Sequence, residues 1–208
     1  MKNIFVTGIG TDIGKTIVSA VLVEALQADY WKPIQSGGLE YSDTERVANL
    51  ISNPKSKCFP ETYRFKNPVS PHLAAIMEAT AINPAAFVLP ETTHKLIIEG
   101  AGGLMVPLTD NFLMLDLIKQ LDAVVVLVSK NYLGSINHTL LSASVLKAHN
   151  IPVIGIIFNG NEHLASETAI LSFSQLPLLG KVEQTDVIDK SFVKRHAEKI
   201  KSQLLKQN

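Results

Sequence analysis

The residues Gly8-Ile9-Gly10-Thr11-Asp12-Ile13-Gly14-Lys15-Thr16 carry the most pointed chemistry in the chain. Glycines let backbone amides approach phosphate oxygens, the lysine can reach terminal phosphates, and the hydroxyl after it can hold Mg²⁺. The common spacing G-x-x-x-x-G-K-[ST] would put its first glycine at position 9, where Ile9 stands; the glycine is Gly8, one residue further out. The competing reading, a glycine turn that happens to end in Gly-Lys-Thr, is weakened by the strand pattern before it and the helix pattern after it.

A phosphate loop needs a second acidic anchor for its metal, and Leu96-Ile97-Ile98-Glu99 places one at the end of an apolar run. Glu99 is followed by Gly100-Ala101-Gly102-Gly103, which carries almost no side chain to obstruct an approaching phosphate. A second lysine opens Lys32-Pro33-Ile34-Gln35-Ser36-Gly37-Gly38, at a strand end where open α/β sheets bind ligands. Asp43, in Ser42-Asp43-Thr44-Glu45, reads equally as a helix N-cap or as a metal ligand, and spacing does not choose between them.

These groups need a scaffold, and short apolar runs alternating with helical periodicity predict one: a mostly parallel sheet with helices on both faces. The predicted strands are Asn3 to Thr7, Tyr30 to Pro33, Lys95 to Glu99, Ala123 to Val128, Pro152 to Phe158 and Leu178 to Val182. Four apolar stripes at helical spacing are expected to face that sheet: Val18, Val21, Leu22, Ala25 and Leu26; Met114, Leu117, Ile118 and Leu121; Leu141, Val145 and Ala148; Val193, Ala197, Ile200 and Leu204. Asn53 to Pro90 holds six of the ten prolines and is expected to form short helices and loops without sheet. No repeat or linker divides the chain, so residues 1–208 read as a single α/β domain.

Composition narrows the partners. Lys plus Arg and Asp plus Glu number 19 each, and a formal charge of zero leaves no general footprint for nucleic acid or an anionic membrane. The apolar run Ile4 to Val6 is too short for a signal-peptide core, and Ala123 to Val128 is far short of a bilayer span. The single cysteine, Cys58, can form no internal disulfide, and the cytoplasm is the expected compartment. His72, His94, His138, His149, His163 and His196 show no zinc spacing, while Trp31 and Cys58 read as packing residues.

Taken together, Val6-Thr7-Gly8 through Thr16, Lys32-Pro33 with Ser36-Gly37, and Glu99 through Gly103 resemble the dethiobiotin synthetase family, ATP-dependent ring-closing enzymes of biotin synthesis with a P-loop NTPase fold. The resemblance continues through Asn67-Pro68, Ser70-Pro71-His72, Leu133-Gly134-Ser135-Ile136-Asn137-His138, Asn159 and Pro177-Leu178-Leu179-Gly180. It implies that CO₂ forms a carbamate on 7,8-diaminopelargonic acid, that ATP phosphorylates it, and that the second amine closes a cyclic urea. It further implies an ATP site of Gly10, Thr11, Asp12, Ile13, Gly14, Lys15, Thr16 and Ile17, with Asn159 reading adenine and Pro177, Leu178 and Leu179 beside the nucleotide. Thr16, Asp43 and Glu99 would hold Mg²⁺, Lys15 would bridge ATP and the carbamate, Lys32 would stabilise charge on the carbamate and the transferring phosphoryl group, and Thr11 and Ser36 would contact diamine or carbamate. Gly134, Ser135, Ile136 and Asn137 would bind the substrate carboxylate across a homodimer with shared sites.

Two other readings stay within nucleotide chemistry. ParA/MinD-like partitioning ATPases are switches whose loop carries an early lysine, where this chain has Gly10; a cobyrinate-type amidoligase is the other. GTPases read guanine with N-K-x-D, and the nearest segment, Asn159-Gly160-Asn161-Glu162, lacks both the lysine and the aspartate.

Overall fold

A computed structural model describes residues 3–204. In chain order the first half contains β1 (Ile4–Gly8), α1 (Lys15–Leu26), β2 (Asp29–Trp31), β3 (Ile34–Ser36), α2 (Asp43–Leu50), β4 (Cys58–Phe59), β5 (Tyr63–Phe65) and α3 (Pro71–Met77). The second half contains β6 (Leu96–Gly103), β7 (Pro107–Thr109), β8 (Phe112–Leu113), α4 (Met114–Gln120), β9 (Val124–Lys130), α5 (Ser135–Ala148), β10 (Val153–Asn159), α6 (Leu164–Ser174), β11 (Leu178–Val182) and α7 (Lys190–Leu204).

Seven strands form one sheet in the order β11-β10-β9-β1-β6-β2-β4, with every neighbouring pair parallel. Parallel strands covered on both sides bury both faces, so apolar residues run consecutively. Ile4 and Val6 enter the core with α1, α2 and α7, whereas Phe5 between them joins α3, α4 and Leu146 of α5 on the other face. A smaller cluster packs Leu127, Ile156 and Phe158 against Ile170 of α6. From β1 the chain crosses to β2 and β4 on one side, returns to β6 beside β1, and then passes to β9, β10 and β11 on the other side, which makes the carboxyl ends of β1 and β6 a topological switch point, the place where such sheets bind ligands. The glycine loop leaves β1 at that point.

The predicted α/β sheet is present, with three local differences. Tyr30 to Pro33 is not one strand: β2 ends at Trp31, and β3 pairs in parallel with β5 outside the main sheet. Pro33 lacks an N–H, and its carbonyl is taken by the amides of Thr62 and Tyr63, which turns the chain out of the sheet. The proline-rich segment holds strand after all. β4 forms an edge of the main sheet, but two or three residues are too few to show a period of two. Of the stripe Leu141, Val145 and Ala148 only Val145 packs against the core, half-buried; Leu141 is 57% exposed and Ala148 is exposed, and the buried positions of α5 are Ser135, Thr139 and Leu146. Polar side chains disguise that inner face, Thr139 donating to the Ser135 carbonyl at 2.7 Å and lying 2.9 Å from the Ser129 hydroxyl. The other three stripes are buried as expected, apart from a half-buried Leu26.

Candidate active site

The displaced glycine has a steric cause. Gly8 closes β1, and the loop folds Ile13 back over it so closely that a Cβ at position 8 would lie 2.1 Å from the Ile13 δ-methyl. Ile13 is thereby buried in the core, pinning the middle of the loop, while Gly14 adopts φ 87° at the N-cap of α1. A Cβ on Gly14 would strike the Asn159 side-chain nitrogen at 2.1 Å, so glycine is required there for space as well as for backbone conformation. No acidic residue occupies the first turn of α1, leaving its amides and partial positive charge for an anion. Lys15 reaches back and donates to the Gly10 carbonyl at 2.8 Å. Burial lowers its pKa to about 8, the opposing pull of Glu99 being insufficient to restore it.

Four groups, from α1, α2, β6 and the link between β2 and β3, converge beyond the loop. The Thr16 hydroxyl lies 3.0 Å from Asp43 Oδ1 and 2.9 Å from Glu99 Oε1. The Lys32 ammonium donates to Asp43 Oδ2 at 2.5 Å and to Glu99 Oε1 at 3.0 Å. Burial alone would depress the Lys32 pKa, but the Glu99 and Asp43 carboxylates outweigh it and hold the ammonium charged above its ordinary range. Asp43 is likewise pushed up by burial and pulled further down by Lys32, so its carboxyl is held below its usual range. The choice left open for Asp43 is decided by its neighbour. Ser42 is the N-cap of α2, in a capping box with Glu45, and Asp43 as the first helical residue is free to face Thr16 and Lys32.

These residues line a cleft of about 680 Å³. Thr11, Asp12, Gly14, Lys15, Thr16, Ile17, Lys32, Ser36, Asp43 and Glu99, all singled out in the sequence, meet there. The Ser36 hydroxyl is buried with no protein partner. Sequence reasoning missed Tyr41, Arg46, Val69 and Val106 in the same cleft. Arg46 was findable: it lies three residues after Asp43 and therefore on the same side of α2. Its guanidinium rests 5.5 Å from the centre of the Tyr41 ring.

Other expected site residues lie elsewhere. Gly10 lends its carbonyl to Lys15, and Asn159, the last residue of β10, donates to the Ile13 carbonyl at 2.9 Å. Gly134 through Asn137 open α5 beyond the carboxyl end of β9 and do not line this cleft. Pro177, Leu178 and Leu179 require a correction. Leu178 pairs with Ile156 at the amino end of β11, whereas Val182 pairs with Asn159 at the carboxyl end, beside the phosphate loop. Leu179 is wholly buried in the core, and the Pro177 carbonyl is taken by the Ile156 amide. The segment that β11 delivers to the loop edge is Val182 and the residues after it. Cys58 is a packing residue whose thiol is pushed up to about 11 by burial and by Asp29.

The donor set suits a small hard cation. Thr16, Asp43 and Glu99 offer one hydroxyl and two carboxylates, all oxygen, and among the described residues no group of three His, Cys, Asp or Glu side chains gathers into a cage. Mg²⁺ is typically held that way, by one or two carboxylates with phosphate oxygens and waters completing its shell.

A family model described as an AAA domain matches residues 2–191. The ATP-dependent dethiobiotin synthetase BioD of Christiangramia forsetii is 48% identical over 203 residues, 98% of each chain. That of Cytophaga hutchinsonii is 50% identical over 201 residues, 96% of this chain and 97% of the other. Among solved structures, a plasmid partition protein from Borrelia burgdorferi B31 bound to AMPPNP matches with a TM-score of 0.63 at 11% identity, covering 100% of this chain and 99% of that one. A ParA family ATPase from Chlorobium tepidum TLS matches with a TM-score of 0.58 at 14% identity, with coverage of 100% and 99%. These two likenesses are of fold, that of the P-loop ATPases.

Proposed function

The chain belongs to the ATP-dependent dethiobiotin synthetase family, and on that premise we propose that it makes dethiobiotin from 7,8-diaminopelargonic acid, CO₂ and MgATP. The observation that supports this reading furthest is the shared cluster of Thr16, Lys32, Asp43 and Glu99 at the mouth of the phosphate loop, in which a second buried lysine stands beside the candidate cation ligands.

In the proposed sequence one amine adds to the carbon of CO₂ and loses a proton, forming a carbamate. A carbamate oxygen then displaces ADP from the γ-phosphorus, and the second amine attacks the carbonyl carbon, expels phosphate and loses its proton. Such chemistry asks the protein for positioning and charge neutralisation more than for a covalent partner. Lys15 bridges the terminal phosphate and the carbamate, and Lys32, held charged by its two carboxylates, faces the transferring group. Thr16, Asp43 and Glu99 would hold Mg²⁺, which would supply charge neutralisation to the phosphates. Thr11 and Ser36 contact diamine or carbamate from the cleft wall. The base end of ATP falls to Asn159 and the backbone that follows Val182.

We assign the carboxylate tail of the diamine to the first amides of α5, Ile136 and Asn137, presented to the cleft of a second subunit in a homodimer. Supporting this, Leu133, Ile136 and Leu141, and Leu164 and Phe173 of the adjoining α6, are exposed apolar side chains. We read the chain as one domain and assign the reaction to the cytoplasm, on its single cysteine and the biosynthetic enzymes it is similar to. Among the described residues no helix is long and apolar enough to cross a membrane.

A phosphate-release assay with diamine, bicarbonate and MgATP tests the reading, each component being left out in turn. Release that needs all three is expected. Undiminished release from MgATP alone would indicate a nucleotide switch and overturn the assignment.

A further inference from the structure

The Glu99 carboxylate is held from two directions. Its Oε1 meets the Thr16 hydroxyl and the Lys32 ammonium, both in the cleft, while its Oε2 accepts from the Tyr30 phenol at 2.9 Å. Tyr30 does not line the cleft: it lies on β2, wholly buried in the core beneath α1. The sheet register accounts for the contact. Tyr30 stands opposite Ile97 in the parallel β2–β6 pair, and Glu99 is two residues further along the same face of β6. A tyrosine ring is long enough to span that diagonal and deliver its hydroxyl to the next residue on the face.

We propose that Tyr30 is a positioning residue for the cation bound by Glu99, fixing the carboxylate so that Oε1 alone is presented to the metal and Oε2 is withheld. This rests on the reading of Glu99 as a Mg²⁺ ligand. A glutamate tied at one oxygen is a one-toothed ligand of fixed direction, which suits the strict octahedron of Mg²⁺; a larger cation such as Ca²⁺ gains from taking both oxygens. Tyr30 therefore sets affinity for small divalent ions and discrimination against large ones. Removing such an outer partner typically weakens metal binding about 10- to 100-fold.

The test is Mn²⁺ binding in the presence of ADP, followed by the loss of free-ion electron paramagnetic resonance signal, with Ca²⁺ as competitor. Tyr30→Phe removes one oxygen and keeps the ring in the core. It is expected to weaken Mn²⁺ binding about ten-fold and to let Ca²⁺ displace Mn²⁺ at a lower ratio than in wild type. Glu99→Gln is the control and should weaken Mn²⁺ binding itself. If Glu99→Gln is weakened while Tyr30→Phe overlays wild type in both titrations, the role of Tyr30 is overturned and the metal reading survives. If Glu99→Gln also overlays wild type, Glu99 is no ligand and both fall. Should Tyr30→Phe fail to fold, wild type labelled with 3-fluorotyrosine takes its place: the buried Tyr30 resonance must move when Mg²⁺ and ADP are added, and a resonance that stays put overturns the proposal.

Discussion

The side-chain nitrogen of Asn159 donates to the carbonyl of Ile13 at 2.9 Å, tying the end of β10 to the middle of the phosphate loop across 146 positions of sequence. Gly14 lies directly against the same amide. Asn159→Ala should therefore loosen the loop as well as remove a group from the base end of the site. We expect KM for ATP to rise up to about ten-fold and the preference for ATP over GTP to narrow, a lost part-buried hydrogen bond costing about 0.5–1.5 kcal/mol. Parallel initial-rate measurements with the two nucleotides check this: an equal rise for both would leave Asn159 as a tether only, and no rise would remove both roles.

Gly14→Ala should be more damaging than its size implies. The methyl group would meet Asn159 at 2.1 Å on a backbone at φ 87° that alanine rarely adopts. Nucleotide affinity, measured by calorimetry with ADP, should fall at least ten-fold while the far-ultraviolet spectrum is kept. Combining it with Asn159→Ala should recover part of the loss, since the second change removes the collision.

Lys15 gives the free enzyme an alkaline limit. With its pKa at about 8, the ammonium that meets the phosphates is present below that pH and lost above it. KM for MgATP should be flat from pH 6.5 and then rise toward about ten-fold per pH unit beyond 8. Lys15→Arg keeps its charge and should bind more weakly but without that limb. Stability runs in the opposite sense: the unfolded lysine, at 10.5, holds its proton more tightly than the folded one, so this residue adds stability as pH rises from about 8 to 10.5. Thermal melts of wild type against Lys15→Met across that window show whether the slope is present.

Lys32 serves as a cation between two carboxylates. Lys32→Met should collapse turnover by about 10³-fold, the usual consequence of deleting a group that faces developing charge. It should also leave Asp43 and Glu99 facing one another without their counter-charge, lowering stability by about 3–5 kcal/mol. Added Mg²⁺ should then raise the melting temperature of Lys32→Met more than that of wild type. Equal shifts would mean that the two carboxylates do not share a cation site.

Shared active sites are tested by mixing subunits. Ser135 is 1% exposed, so a charge there would disrupt α5; the exposed Asn137 is the better position. Asn137→Glu places a carboxylate where the substrate's own would bind, and Lys15→Ala disables the phosphate loop. Each homodimer should be inactive. After random exchange about half the dimers are mixed and each of those has one intact site of two, so about a quarter of wild-type activity should return. Sites contained within one subunit would restore none, with exchange verified by pull-down of a tag.

The phosphate loop, both lysines, Glu99 and the alternation of strand and helix were legible from the chain alone because each rests on local physics. Glycines before Lys15-Thr16 and apolar runs of parallel-strand type announce themselves within about ten residues of sequence. The face of α5 was not legible, because its inner line is carried by Ser135 and Thr139, whose polarity is satisfied only by tertiary partners. The role of Asp43 was undecidable until Ser42 took the N-cap and turned the aspartate toward Thr16 and Lys32. The misplaced nucleotide residues 177–179 fell at the wrong end of a strand, since a motif has no direction relative to a site until the register of β11 on β10 supplies one. Tyr30 read as an ordinary buried aromatic, and its bond to Glu99 exists because two strands 69 positions apart lie side by side with their inward faces in phase. Sequence determines which residue types are present and how they alternate; only the folded sheet decides which of them meet, because register and strand order are properties of pairs of segments and belong to neither segment alone.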